Sequence, residues 1–123
     1  MEVILDTNFV LSCLEKRIDF IGALESEGFK VAVPREVLDE IKDLKTNNKL
    51  SMRKRQMVGV ALDLLEAKKI KKLSFGGRKV DVGLIEKGKQ GVYIATLDNG
   101  IKRQVPNRIT IDSSRKGIGI ERD

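Results

Sequence analysis

Read only for apolar and polar positions, the chain alternates short unbroken apolar runs with longer stretches of helical period. EVIL, residues 2–5, is an apolar run that stops at Asp6, the pattern of a strand covered on both faces in a parallel sheet. Phe9, Val10, Leu11 and Leu14 follow at helical spacing, and Thr7 or Asn8 can cap that helix. A second short helix is predicted over 18–27, with Ile18, Ile21 and Leu24 on one face and Gly28 closing it. KVAV, residues 30–33, is the second strand. Pro34 ends it and suits the first turn of a helix over 35–45, whose stripe is Val37, Leu38, Ile41 and Leu44.

TNNK, residues 46–49, reads as a loop, and Met57, Val60, Ala61, Leu64 and Leu65 set a long helix over about 51–68. IKKLSF, residues 70–75, alternates like a strand until Gly76-Gly77 breaks it. A short helix over about 81–88 and a turn at Gly91 lead into VYIAT, residues 92–96, the clearest strand in the chain. Another short helix is expected over 99–104, then a strand at 108–111 and a last extended piece at 118–121. Strands alternating with helices predict an α/β fold, a three-layer α/β/α sandwich around a mostly parallel sheet. With 123 residues the chain has room for one core, so residues 1–123 are expected to form a single domain.

Composition narrows the chemistry. Hydrophobic residues at 41% can build a core, and with only 4% aromatic that core must be aliphatic. There is no His, which excludes a Ser-His-Asp triad, a Cys-His dyad and His-ligated zinc. The single Cys13 excludes an internal disulfide and fits a reducing compartment, with a buried structural thiol as the plain reading. Any chemistry must therefore run on carboxylates, hydroxyls, Lys or Arg. The N-terminus enters directly into a strand-like run containing Glu2 rather than a leader, and no apolar stretch approaches membrane-spanning length. A cytoplasmic protein with no membrane partner is the expectation. The net charge of +6 is unevenly spread. Residues 1–41 hold nine acids and four bases, a net −5, while the rest hold nine acids and twenty bases, a net +11. A basic part beside an acidic part suits a polyanionic partner, although Lys and Glu enrichment also has other causes.

Open parallel sheets keep their functional crevice beyond the carboxyl ends of the strands. Asp6 ends the first strand, Asp98 follows the VYIAT strand, Asp81 begins the helix before that strand, and Glu40 sits inside the helix after the second strand. Four acids can thus converge on one rim. Carboxylates so gathered cannot all ionise without counter-charge, which a hard divalent cation such as Mg²⁺ or Mn²⁺ supplies through oxygen ligands. Two such ions about 3.5–4 Å apart can activate water and stabilise the leaving oxygen in phosphodiester cleavage. Thr7 and Asn8 add a hydroxyl and an amide at the same strand end. Each acid also has an ordinary reading. Asp6 or Asp81 can cap a helix, Asp98 in LDNG can belong to a turn, and Glu40 shares its helix with Glu36, Asp39 and Asp43 as a solvated face.

These residues carry a resemblance. LDTNFVL resembles the opening motif of PIN-domain nucleases, PREVLDEI is similar to the second, and VDVGLI with VYIATLDNGIKR looks like the third and fourth. It runs from about Glu2 to Arg103, the tail RKGIGIE also fits a closing strand, and LDTN and ATLD are its strongest pieces. The small size and basic end resemble stand-alone archaeal members related to the ribosomal-RNA-processing branch. The resemblance implies a metal-dependent endoribonuclease. Asp6, Glu40, Asp81 and Asp98 would form the Mg²⁺ or Mn²⁺ site, with Thr7, Asn8 and Thr96 in support. It also implies possible partners: RNA, an antitoxin or a ribosome-assembly factor, and a second copy of the chain. The apolar hairpin over 9–24 reads as exposed and would permit such a homodimer.

Three basic groups stand out. Lys102 and Arg103 follow Asp98 closely and are favoured for RNA contact, as are Arg53 and Arg55 at the start of the long helix. The group Lys68, Lys69, Lys71, Lys72, Arg78 and Lys79 reads better as a solvated surface. Asn99-Gly100 stand where the family often carries a further acid, which favours a rival reading, a non-catalytic RNA-binding or assembly module. A phosphohydrolase with an Asp nucleophile would want an acid two residues after Asp6, where Asn8 stands. A receiver-like phospho-acceptor would want an acidic pair before it.

Overall fold

A computed structural model describes residues 1–123. The elements run β1 (Glu2–Leu5), α1 (Thr7–Glu15), α2 (Phe20–Ser26), β2 (Lys30–Pro34), α3 (Arg35–Lys45) and α4 (Met52–Ala67). They continue with β3 (Lys71–Leu73), α5 (Val80–Lys89), β4 (Tyr93–Ala95), α6 (Asn99–Lys102), β5 (Asn107–Asp112) and β6 (Gly117–Arg122). All six strands join one sheet in the order β3-β2-β1-β4-β5-β6. Every pairing is parallel except β5 with β6, where the last extended piece turns back as an antiparallel hairpin.

The pleat divides the core between the two faces. Val3, Leu5, Val31, Val33, Tyr93, Ala95 and Ile109 join the larger cluster, together with apolar side chains of α1, α2, α3 and α4. Ile4 and Ile94 point the other way and pack with Phe75, Leu84, Ile101 and Val105, under α5 and α6. This is the expected three-layer α/β/α sandwich. Val3, Ile4 and Leu5 are all at 0% exposure, which explains why β1 reads as continuous rather than alternating. Each such side chain stabilises the fold by roughly 1.5–3 kcal/mol relative to exposure, so the strand leading to Asp6 is firmly fixed.

Three expectations need correction. The hairpin over 9–24 is not an exposed apolar surface. Phe9, Val10, Cys13, Ile18, Phe20, Ile21 and Leu24 are buried in the chain's own core, and the Phe9 and Phe20 rings meet edge to face at 6.1 Å. The argument for a homodimer through this hairpin falls with it. The cap of α1 is Asp6 rather than Thr7 or Asn8: Asp6 keeps an extended backbone, and its Oδ1 accepts from the Thr7 N–H at 2.8 Å. The strand expected over 70–75 shrinks to Lys71–Leu73, because Ser74 and Phe75 leave the ladder to enter a loop. No helix is long and apolar enough to cross a membrane.

Candidate active site

The strand order reverses between β1 and β4. From β1 the chain winds outward through β2 to β3, then returns to the opposite side of β1 as β4 and continues to β5. Such a switch point opens a crevice at the carboxyl ends of the two strands. Leu5 pairs with Ala95 at the end of both, so Asp6 and Thr96 emerge side by side. The ladder extends one bond further, from Asp6 N–H to the Ala95 carbonyl at 2.9 Å.

One hydrogen-bonded network fixes the acids. The Thr96 hydroxyl, fully buried, donates to Asp6 Oδ2 at 2.7 Å and accepts from the Asp98 N–H at 3.1 Å. The Thr7 hydroxyl, also buried, donates to Glu40 Oε1 at 2.7 Å, while its backbone N–H holds Asp6. Asp98 caps α6, its Oδ1 accepting from the Ile101 N–H at 3.0 Å. Asp6, Glu40 and Asp98 are thereby tied together from β1, α3 and the end of β4. Asp81 stands apart from this network in the first turn of α5, its Oδ1 accepting from the Val82 N–H at 2.9 Å.

These four acids line a single open cleft of about 800 Å³ with Thr7 and Asn8, and Thr96 lies beneath it. Glu36, Asp39 and Asp43 line it too, for a total of seven carboxylates against two bases, Arg78 and Lys79. Burial raises the Asp6 pKa above its ordinary value. The bonds from Thr96 and Thr7 pull it down, but the charges of Glu40 and Asp98 push it up again. With seven carboxylates against two bases, the cleft carries negative charge in need of a partner. No group of three or more carboxylates is arranged to close around a metal ion.

The basic residues favoured from sequence lie elsewhere. Arg53 borders a half-apolar groove between α1 and α4 that meets the cleft at Asn8 and Leu44. Arg55 sits in a shallow depression with Lys45, Met52 and Gln56, its Nε buried without a partner. Lys102 and Arg103 share a separate depression with Asn99, Arg108 and Glu121. Sequence reasoning instead passed over Arg78 and Lys79, grouped with the lysines around β3 although they stand only three and two residues before Asp81. It also set Glu36, Asp39 and Asp43 aside as a solvated face. Their spacing with Glu40 (i, i+3, i+4, i+7) was the signal that α3 turns all four toward one cleft.

A solved structure described as that of the PIN domain endonuclease Utp24 is similar to this chain, with a TM-score of 0.76 and 22% sequence identity. The match covers 99% of this chain and 92% of that one, a likeness of fold. No curated protein matches the sequence significantly. The sequence profile of the PIN domain family matches residues 3–114. That span takes in every element from β1 to β5, and the chain belongs to the PIN domain family.

Proposed function

We propose that this protein is a metal-dependent endoribonuclease, cutting an RNA phosphodiester by attack of water as the bond to the leaving oxygen breaks. The observation that carries this reading is the binding of Asp6, Glu40 and Asp98 into one network at the β1/β4 switch point. It is supported by membership of the PIN domain family and by the fold shared with a PIN domain endonuclease.

The donor set fits a hard cation. The groups on the cleft able to ligate a cation are carboxylate, hydroxyl and amide oxygens, His is absent, and the one Cys is buried in the core. Mg²⁺ commonly takes one or two carboxylates and keeps several waters, so a site without a three-acid cage agrees with its habits. Asp6, Glu40, Asp81 and Asp98 would hold Mg²⁺ or Mn²⁺. When bound, the ion supplies counter-charge to the carboxylates and Lewis acidity toward a phosphate oxygen. Thr7 and Thr96 hold the Asp6 and Glu40 carboxylates in place, and Asn8 offers an amide at the cleft edge. RNA rather than an acidic protein is favoured by the +6 charge and the phosphodiester chemistry such a carboxylate site performs. Either setting expected from the family, ribosomal-RNA processing or a toxin held by an antitoxin, would use this same site.

The rival reading, a non-catalytic RNA-binding or assembly module, draws on Asn99 in place of a further acid and on the open arrangement of the carboxylates. A circular labelled RNA incubated with Mn²⁺ separates the two. Conversion of circles to linear strands is expected from an endonuclease. Circles retained on the protein but left closed would favour the module.

A further inference from the structure

We propose that Lys79 receives the phosphate backbone of the RNA strand at this cleft, and that Glu36 is the positioning residue that holds it there. The inference rests on the RNA reading above. A cleft with seven carboxylates repels a polyanion, and metal ions bound among them offset only part of that charge. The cleft wall contains two side-chain cations, Arg78 and Lys79. Arg78 is already ion-paired with Glu86. Lys79 forms no ion pair, although it lines the same cleft as seven carboxylates. Its ammonium is left to neutralise something that enters the cleft, and a phosphate oxygen is the partner that suits a compact cation.

Lys79 follows a loop that is fixed by an acid from another element. Glu36, on the first turn of α3, reaches across to the connection between β3 and α5. Its carboxylate accepts from the Phe75 N–H at 3.1 and 3.2 Å and from the Gly77 N–H at 3.0 Å. These bonds hold its pKa below the usual carboxylate range, so it stays ionised and bonded at neutral pH. Gly76 and Gly77 take φ of +68° and +81°, the left-handed turn that lets two amides face one carboxylate. The buried Phe75 ring anchors the same loop against Gly83 of α5, where a Cβ would overlap it. Glu36 therefore spends its oxygens on the loop and differs in role from Glu40, four residues on, which bonds Thr7.

The charge of Glu36 and its role as a clamp predict opposite results, which makes the test decisive. Binding of a fluorescein-labelled single-stranded RNA is followed by anisotropy across a salt series, separately from cleavage in Mn²⁺. Lys79→Ala should weaken binding about five- to tenfold at low salt and lower the slope of log affinity against log salt by about one. Lys79→Arg should restore most of it. Lys30→Ala, at the opposite end of β2, controls for net charge and should change little. Glu36→Gln removes a negative charge from the cleft and on charge alone should tighten binding. The clamp predicts instead a loss of about threefold, which disappears in the Lys79→Ala background. Tighter binding by Glu36→Gln, a Lys79→Ala effect no larger than that of Lys30→Ala, or no RNA binding by the wild type would each overturn the proposal. A wild type that binds RNA but never cuts it would sink the nuclease reading and leave Lys79 to be judged on anisotropy alone.

Discussion

Thr96 is the residue on which the arrangement of acids turns. Its hydroxyl is buried and stands between the Asp6 carboxylate and the Asp98 backbone, donating to one and accepting from the other. Thr96→Val keeps the shape and removes both bonds, leaving a partly buried carboxylate and an N–H short of partners. A loss of about 1–3 kcal/mol is expected, read in thermal unfolding as a fall of roughly 4–12 °C, and RNA cleavage should drop with it. Thr96→Ser should stay close to wild type in both. A Val variant with unchanged stability and activity would show the hydroxyl to be incidental. At this scale the sequence was informative where chemistry and position coincide. LDTN and ATLD named Asp6, Thr7, Thr96 and Asp98, which the fold brings into one network. Glu36 was illegible for a physical reason, since its partners are backbone N–H groups 39 and 41 residues away and backbone amides leave no mark in side-chain pattern. Lys102 and Arg103, close to Asp98 in the chain, line a separate depression rather than the cleft wall, a placement that sequence proximity does not reveal.

At the scale of elements, α5 deserves the closest test because it carries Asp81 and starts directly after Lys79. Gly83 and Gly88 lie inside it, and glycine in a helix ordinarily costs about 1 kcal/mol relative to alanine. Here the absence of a side chain serves packing: Gly83 lies against the Phe75 ring, and Gly88 against Val105 with Ile94 beside it. Gly83→Ala should therefore destabilise by about 1–3 kcal/mol through overpacking, measured by urea unfolding. Stabilisation would mean that helix propensity outweighs the contact. The alternation of apolar runs located nearly every strand and helix, because β1 and β2 are buried beyond their first residues, β4 is buried throughout, and the helices carry one apolar stripe. It failed where burial comes from partners far off in the chain. The hairpin over 9–24 read as exposed because nothing in its own spacing reveals the sheet and the α3–α4 pair that cover it. The strand over 70–75 read too long because the alternation of side chains persists while the backbone has already turned toward Glu36.

For the molecule as a whole, charge and topology agree. The acidic residues 1–41 supply β1, α1 and the first part of α3, which bring Asp6, Glu36, Asp39 and Glu40 to the cleft, while the later basic part supplies the loop with Arg78 and Lys79. The chain thus sets a carboxylate centre at the switch point of a protein that is basic overall; under the proposed function, attraction for RNA and its cleavage would reside on different residues. The uneven charge was visible in the sequence, and its folding into one cleft with a basic wall was not, since that depends on α3 and the β3–α5 loop meeting through Glu36.

The central claim is that the acids around Asp6 cut RNA. The direct measurement is cleavage of a labelled structured RNA in Mn²⁺ by wild type, by wild type with EDTA, and by Asp6→Asn, which retains the size of the side chain and removes its charge. Wild type should cleave in Mn²⁺ and not with EDTA, and Asp6→Asn should lose at least about a hundredfold with folding intact. Cleavage that persists in EDTA, or that survives Asp6→Asn undiminished, would contradict it.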